Sequence, residues 1–581
     1  SDLIISGQGV FKGYEYKSKS YTALQPNAIN YFSGEEIAGT GVTKNKMSMD
    51  WQSTNTMLYT ATARYDWSND KHAVGALVGT SYEHYKYERL AGSREEFPSD
   101  ALTDMEAGST SGAGYTNGAG SSEYKMLSYF ARVNYTLMDR YLFEVNMRAD
   151  ASSRFHKDHR WGYFPSFSAG WRMSEESFMK DIEWINNLKI RASYGTLGNI
   201  NNVGNYDYFQ NYSSGNHYNF SDSPVIGIGE SKPANETLGW EKVALTDIGL
   251  DFDIFNGLLG VTADYYIKNT SDILLGYNVP TETGITAAPS QNIGKVKNTG
   301  FELALNHRNK IGAVNYSIGA NIATNKNKIT NLGGSDNIIQ TSSYIVKYIL
   351  KKGESIGSFY GFKTDGLYTQ ADIDAGHYYT LSGVVPNAGD IKFVPQRDIE
   401  YKQEITDEDR TILGKDVPDF TYGVNLSLQY KGFEFSMFGQ GISGTKVAFD
   451  VYGVHPFYHG QDSPRKYHLK RWTEENPNPH AAYPRIYSAS SVHTTYNRNF
   501  SDYHLFDSDY FRFKTLSLGY TVPSATVKNW GLQSLKVYVT GENLFTVRAD
   551  KKMEDFDPET AGGVIYTLGT KSVAFGVNIS F

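Results

Sequence analysis

Lys571-Ser-Val-Ala-Phe-Gly-Val-Asn-Ile-Ser-Phe581 is the stretch whose reading decides the fold. Val573, Phe575, Val577, Ile579 and Phe581 are apolar, and Ser572, Ala574, Gly576, Asn578 and Ser580 between them are small or polar. Such strict alternation belongs to a strand with one greasy face and one wet face. Its length suits the ~9–11 residues that a tilted strand needs to cross a bilayer. A soluble sandwich can end on such a strand too, so the rest of the chain must discriminate.

The 581 residues include 44 Tyr, 31 Phe, 8 Trp and 56 Gly beside only 17 Pro, a usage that reads as all-β. No run approaches the ~18 apolar residues of a transmembrane helix. A barrel escapes that test, because its lumen-facing and lipid-facing residues alternate. With no cysteine there is no disulfide framework, thiolate nucleophile or Cys-held metal. A net charge of −8 gives no basic surface to steer nucleic acid. Ser1-Asp2-Leu3 opens the sequence without a charged-then-apolar leader and reads as a processed start or a fragment.

Working inward, Met57–Asp66 and His72–Tyr87 form a hairpin through Ser68-Asn69-Asp70. Tyr124–Leu137 and Tyr141–Asp150 form another, with Leu127, Tyr129, Ala131, Val133 and Tyr135 on one face and Ser128, Arg132, Asn134 and Thr136 on the other. Only Phe130 and Leu142 fall on the polar faces. Glu175–Asn187 is expected to hold one or two helical turns before the next strand. Asn256-Gly257 between Ala244–Ile254 and Leu259–Lys268 is a strong hairpin signal. Asn309-Lys310 and Lys431-Gly432 make further tight turns. Long polar stretches at 16–53, 88–123, 152–161, 198–235, 272–291, 329–417, 447–506 and 548–568 separate the hairpins.

Short turns alternating with long loops mark an outer-membrane barrel, a transmembrane antiparallel all-β fold. If 329–417 is one excursion, all short turns share one side and sixteen strands result, the first ascending. Sixteen strands suit a porin, or the last part of a 22-stranded transporter with a plugged lumen.

Several stretches carry a resemblance: Tyr129-Phe-Ala-Arg-Val-Asn-Tyr135, Arg148-Ala-Asp-Ala-Ser-Ser-Arg-Phe155, Trp161-Gly-Tyr-Phe-Pro-Ser-Phe-Ser-Ala-Gly-Trp-Arg172 and Leu188-Lys-Ile-Arg-Ala-Ser-Tyr-Gly-Thr-Leu-Gly198. Phe511-Arg-Phe-Lys-Thr-Leu-Ser-Leu-Gly-Tyr520, Val539-Thr-Gly-Glu-Asn-Leu-Phe545 and the terminal strand join them. Almost end to end, the chain resembles the SusC/RagA family of TonB-dependent outer-membrane transporters. The resemblance implies a multi-pass β-barrel of a Bacteroidetes-type outer membrane, importing oligosaccharides or oligopeptides too large for porins. It also implies a SusD-like surface lipoprotein as lid, outer-membrane lipids as surroundings and room for a further copy of the pair. Residues 1–581 then correspond to the last sixteen or so strands of a 22-stranded barrel domain. The amino-terminal extension, through which TonB acts, the plug and the first strands are expected to lie outside this sequence. Rival readings are a siderophore or cobalamin receptor, a passive porin and a secreted glycan-binding protein or glycosidase.

The inward charges Arg132, Glu144, Arg148, Asp150, Lys189, Arg191 and Asp264 read as lumen wall or plug docking. Glu144 and Asp150 lie roughly 20 Å apart along one strand, too far to flank one glycosidic bond. His156 and His159, and His455 and His459, have metal-like spacings but no third ligand, and read as solvated loop histidines. Gly227-Ile-Gly229 lacks the strand–helix context of a nucleotide loop. Family members often carry an acidic calcium loop after Gly-Asp-Ile-Lys. Here Gly389-Asp-Ile-Lys-Phe393 is followed by residues without that ligand spacing, so no cofactor is expected and calcium at 389–410 lacks its pattern.

Tyr206, Tyr208, Phe209, Tyr212, Tyr218 and Phe220 in one loop, and Tyr452, Phe457 and Tyr458 in another, are candidates for substrate or lid contact. Loops 198–235 and 272–291 are where the resemblance puts the lid's hinge contacts. Tyr141 and Trp171 read as anchors at the lipid boundary, and Phe575 and Phe581 mark the terminal barrel-assembly strand. No catalytic residue is expected.

Overall fold

The computed structural model describes residues 2–110, 114–220, 223–276, 290–341, 345–449, 454–457, 464–559 and 569–581. Sixteen staves run in chain order among them. The first eight are β1 (Asp2–Thr22), β2 (Lys46–Ser68), β3 (His72–Glu95), β4 (Thr116–Leu137), β5 (Tyr141–Ser152), β6 (Trp161–Arg172), β7 (Ile185–Asn199) and β8 (Glu241–Ile254). They continue as β9 (Leu259–Gly276), β10 (Ser290–Ile311), β11 (Val314–Thr324), β12 (Phe420–Tyr430), β13 (Phe433–Ser443), β14 (Tyr510–Thr521), β15 (Ser534–Arg548) and β16 (Ser572–Ser580). Each pairs antiparallel with the next, from β1 with β2 to β15 with β16. β11 breaks at Asn325 and resumes as Lys326–Leu332, which pairs with the upper half of β10. Among the described residues, β1 and β16 each pair on one side only.

The short turns are closed by residues in left-handed backbone. Lys431 and Gly432 both have positive φ, 46° and 88°, as a two-residue hairpin loop requires. Met138 and Asp139, at 52° and 56°, do the same between β4 and β5. The helical turns expected over Glu175–Asn187 are a 3₁₀ turn at Met173–Glu175 and a run of hydrogen-bonded turns up to Ile185. Tyr141 and Trp171 point their polar tips at Glu176 there, at 2.6 and 3.1 Å.

At the other end the strands outrun the sequence reading. β2, β3 and β4 hold 23, 24 and 22 residues, about twice what crossing a bilayer takes. The expected loops 16–53 and 88–123 therefore shrink to 23–45 and 96–115. Above the rim both faces of a ribbon meet water, so hydrophobic alternation fades although the ladder of backbone hydrogen bonds continues.

The apolar side chains of β16 are bare where lipid is expected. Val573, Phe575, Val577, Ile579 and Phe581 are all exposed, Phe575 and Phe581 at 83% each. The buried core lies elsewhere, in the long loops. Segments 329–417 and 447–506 fold together into an outer lobe, where Phe362, Leu367 and Phe393 pack with Trp472, Ala481 and Tyr496. Val447, Phe449 and Phe506 pack with Met553 and Phe556 beside them. Within the lobe Lys347–Lys351 and Ser358–Gly361 pair with each other and not with any stave, in keeping with 329–417 as one excursion.

On the lumen side, large side chains lie over glycines of the facing strand. Phe130 sits opposite Gly79, Leu142 opposite Gly170, Tyr266 opposite Gly300 and Tyr538 opposite Gly576. A Cβ on Gly79 or Gly300 would overlap the ring, and on Gly300 the Thr324 carbonyl oxygen as well. Phe130 and Leu142, the two apolar residues on polar faces, are thus covers for glycines. Gly300→Val should cost ~1–3 kcal/mol or more by overpacking, lowering the temperature at which the barrel loses its compact mobility on SDS gels.

Candidate functional site

The lumen wall is built by the alternate residues of β4 to β10 that face away from lipid. Arg191 on β7 is its centre. Its guanidinium meets Asp264 of β9 at 2.6 and 2.8 Å, Asp251 of β8 at 3.2 Å and Asp247 of β8 at 3.4 Å. One cation thus joins three carboxylates across three strands. Glu144, Lys189 and Arg191 line one cavity of about 330 Å³ together with Asp247. Glu144, Arg148 and Asp150 line its neighbour of about 510 Å³. Arg148 pairs with Asp150 at 2.9 Å, donates to Ser128 Oγ at 3.0 Å and lies over the Phe130 ring. Asn146 donates to Glu144 at 2.7 Å, and Arg132 stands opposite Asn146 in the register.

Asp247 and Asp251, the acids that complete the Arg191 group, were missed by the sequence reading. Their signal was present: Asp247, Asp251 and Asp253 share the parity opposite Ile248, Leu250 and Phe252 on β8. Arg191→Ala leaves three carboxylates facing one another without a cation. It should cost on the order of 2 kcal/mol, read as an earlier heat transition on SDS gels, with Arg191→Lys recovering part of the loss.

The aromatic loop candidates divide. Glu123 N–H, near the top of β4, donates to the Tyr206 hydroxyl at 3.2 Å. The rings of Tyr208 and Phe209 stack obliquely at 4.1 Å, and Tyr208 packs on the buried cluster of Phe155, Phe164, Val203, Leu238 and Trp240. Tyr212 is 64% exposed and Phe457 is exposed, with a left-handed φ of 59°. The Tyr218 and Phe220 side chains, and Tyr452 and Tyr458, lie outside the described residues. Gly227-Ile-Gly229 belongs to the strand Ser223–Lys232 of a hairpin.

One histidine expectation is overturned. His455 is buried rather than solvated, with Nδ1 on the Tyr483 hydroxyl at 3.1 Å and Nε2 without a partner. It lies 5.3 Å, ring to ring, from the buried His504, and His468 is buried close by against Tyr483. The apolar residues around it in segment 447–506 close over this group, which is why spacing alone misled. His156 keeps to its loop, with Nδ1 3.3 Å from Asp158. Among the described residues, no group of three His, Asp or Glu side chains is arranged to hold a metal ion.

In the 389–410 loop the two buried carboxylates are saturated by protein donors. Asp409 accepts from the backbone N–H groups of Gln396, Arg397 and Thr406 at 3.0, 3.1 and 2.9 Å, and from the Arg397 guanidinium at 2.7 Å. Burial pushes the Asp409 carboxyl up, but Arg397 and these N–H groups outweigh it and hold it at about 2. Asp390 accepts from Asn387 N–H and Asn497 Nδ2 at 2.7 and 2.8 Å, with His493 Nδ1 also at 2.8 Å. These residues do not fit a calcium ion, since Arg397 already supplies the positive charge.

Residues 6–544 match the model of the family described as TonB dependent receptor-like, beta-barrel. TonB-dependent receptor P3 of Formosa agariphila is 30% identical over 545 residues, covering 92% of this chain and 52% of that protein. TonB-dependent receptor SusC of Bacteroides thetaiotaomicron is 29% identical over 467 residues, covering 78% of this chain and 43% of that protein. The chain therefore spans about half the length of the curated relatives it matches. The solved RagAB peptide transporter superposes over 100% of this chain and 60% of its own, with TM-score 0.80 and 24% identity, a likeness of fold.

Proposed function

The chain belongs to the TonB dependent receptor-like β-barrel family of the outer membrane, as a receptor of the SusC/RagA type, and on that premise we propose that it serves active import of large nutrients. Oligosaccharides or oligopeptides pass its lumen, with energy from TonB and a SusD-like lipoprotein as lid. The observation that carries this reading is the agreement of the SusC relative with a RagAB likeness that runs the whole length of the chain. The wall supports it: ion pairs such as Arg191 with its three aspartates line a wet path, and the family's members are transporters rather than enzymes.

The test is purification of the whole complex from native outer membranes in mild detergent, followed by mass spectrometry of proteins and retained small molecules. A SusD-like lipoprotein should copurify, and uptake of the retained cargo should stop when TonB is deleted. Cargo uptake that survives loss of TonB would sink the reading.

A further inference from the structure

At the long-loop rim a cavity of about 390 Å³ opens between the tops of β9 and β10, the Lys326–Leu332 strand and the outer lobe. That volume falls in the ~300–1,000 Å³ range of small-ligand sites. Its floor is aliphatic, formed by Ile273, Leu275, Val296 and Leu350, and none of its lining residues is aromatic. Its charged groups are of one sign. Lys268 and Lys295 line it, and neither has an ion-pair partner among the described residues. Asn298 accepts from Asn327 at 2.7 Å and Asn331 from Gly333 N–H at 3.2 Å. Each asparagine oxygen thus accepts one bond, and their NH₂ groups have no acceptor among the described residues.

An aliphatic floor beside two lysines without ion-pair partners favours a ligand that is both apolar and anionic. Neutral sugars gain nothing from two cations, and their rings favour flat aromatic faces, which the cavity does not offer. A peptide end has the complementary set: an aliphatic side chain, a carboxylate and backbone carbonyls. We propose that this rim cavity is a cargo subsite that takes the carboxyl-terminal residue of an oligopeptide ending in an aliphatic side chain. The assignment rests on the import reading above and narrows its cargo to peptide.

The experiment uses the full-length transporter with its lipoprotein in detergent, and a labelled glycine- and serine-rich octapeptide ending in Leu. Its carboxyl-terminal amide, its Ser-ending analogue, maltohexaose and a hexauronate serve as comparison probes. Amidation and Lys268→Gln should each weaken binding about tenfold, and amidation should add little in the Lys268→Gln background. Val296→Trp should weaken the Leu peptide by filling the floor, with the heat transition of the barrel unchanged. Equal binding of acid and amide overturns the subsite, and so does Lys268-dependent binding of the hexauronate without the peptide. TonB-dependent uptake of each probe separates the two claims. If only a glycan enters, import stands and the peptide subsite falls; if nothing enters in a TonB-dependent way, both fall.

Discussion

Asp409→Ala unfolds the outer lobe while leaving the staves paired. The substitution removes the acceptor for three backbone N–H groups and for the Arg397 guanidinium, all inside a loop where Asp409 has no exposure of its own. Breaking a buried, hydrogen-bonded charge pair by removing one partner costs about 3–5 kcal/mol. That is a large part of what holds a lobe of this size. Asp409→Asn should lose less, because an amide oxygen still serves some of the N–H donors. Limited proteolysis reads the effect: cleavage within 329–417 and 447–506 should rise sharply, with the hairpins of β4 to β7 still resistant. Resistance in Asp409→Ala equal to that of the parent protein would refute the account. The same carboxylate carries an acid limit. Its folded value of about 2 lies below the usual 3.8, so its contribution is fully present above 3.8 and disappears as pH falls toward 2.

A second acid transition is expected earlier and is steeper. Burial holds His504 down to about 4, helped by the nearby charge of Lys552. Burial also drives His455 far below its ordinary value, with His504 and Arg498 opposing a further positive charge. His468 is lowered by burial too, although its bond to the Val454 carbonyl offsets part of it. All three are neutral in the folded lobe and titrate near 6.5 once it opens. Their stabilisation is complete above 6.5 and drains as pH falls toward 4, because the opened lobe takes up protons that the folded lobe refuses. A group kept neutral in the folded lobe contributes a slope of up to ~1.4 kcal/mol per pH unit, so His455 and His504 acting together give up to about 3, with His468 acting in the same direction. Deuterium uptake across 447–506 should therefore jump between pH 7 and pH 4.5, with β4 to β7 protected at both. In His504→Asn the dependence should flatten. A lobe equally protected at both pH values would contradict the buried, neutral histidines.

The barrel was legible in the sequence because two solvents write two faces. Tyr129, Val133, Phe143 and Val145 meet lipid while Arg132, Glu144 and Arg148 meet water, and that contrast is readable one strand at a time. Two tight turns were legible for the same local reason, since Asn256-Gly257 and Lys431-Gly432 state their backbone geometry outright, whereas the turn expected at Asn309-Lys310 lies at Gly312-Ala313, beyond three further ladder pairs. What stayed hidden was non-local. Phe130 looks like an error of pattern until Gly79 is seen across the ladder. Asp247 and Asp251 look like ordinary lumen acids until Arg191 gathers them from a neighbouring strand. His455 looks solvated by spacing, and only the packing of segment 447–506 against Phe506, Met553 and Phe556 shows otherwise. The ribbons above the rim, wet on both sides, carry no pattern to read.

The shared interior of the outer lobe also constrains how such a protein changes. Phe362 and Phe393 come from one excursion, Trp472 and Tyr496 from another, and two staves of barrel separate them in the chain. Neither excursion owns a complete interior. Substitutions that alter the volume of one half must be answered in the other, so the two segments are expected to vary together. A recombinant carrying only a cousin's 447–506 receives half of a joint whose mating surface stayed behind.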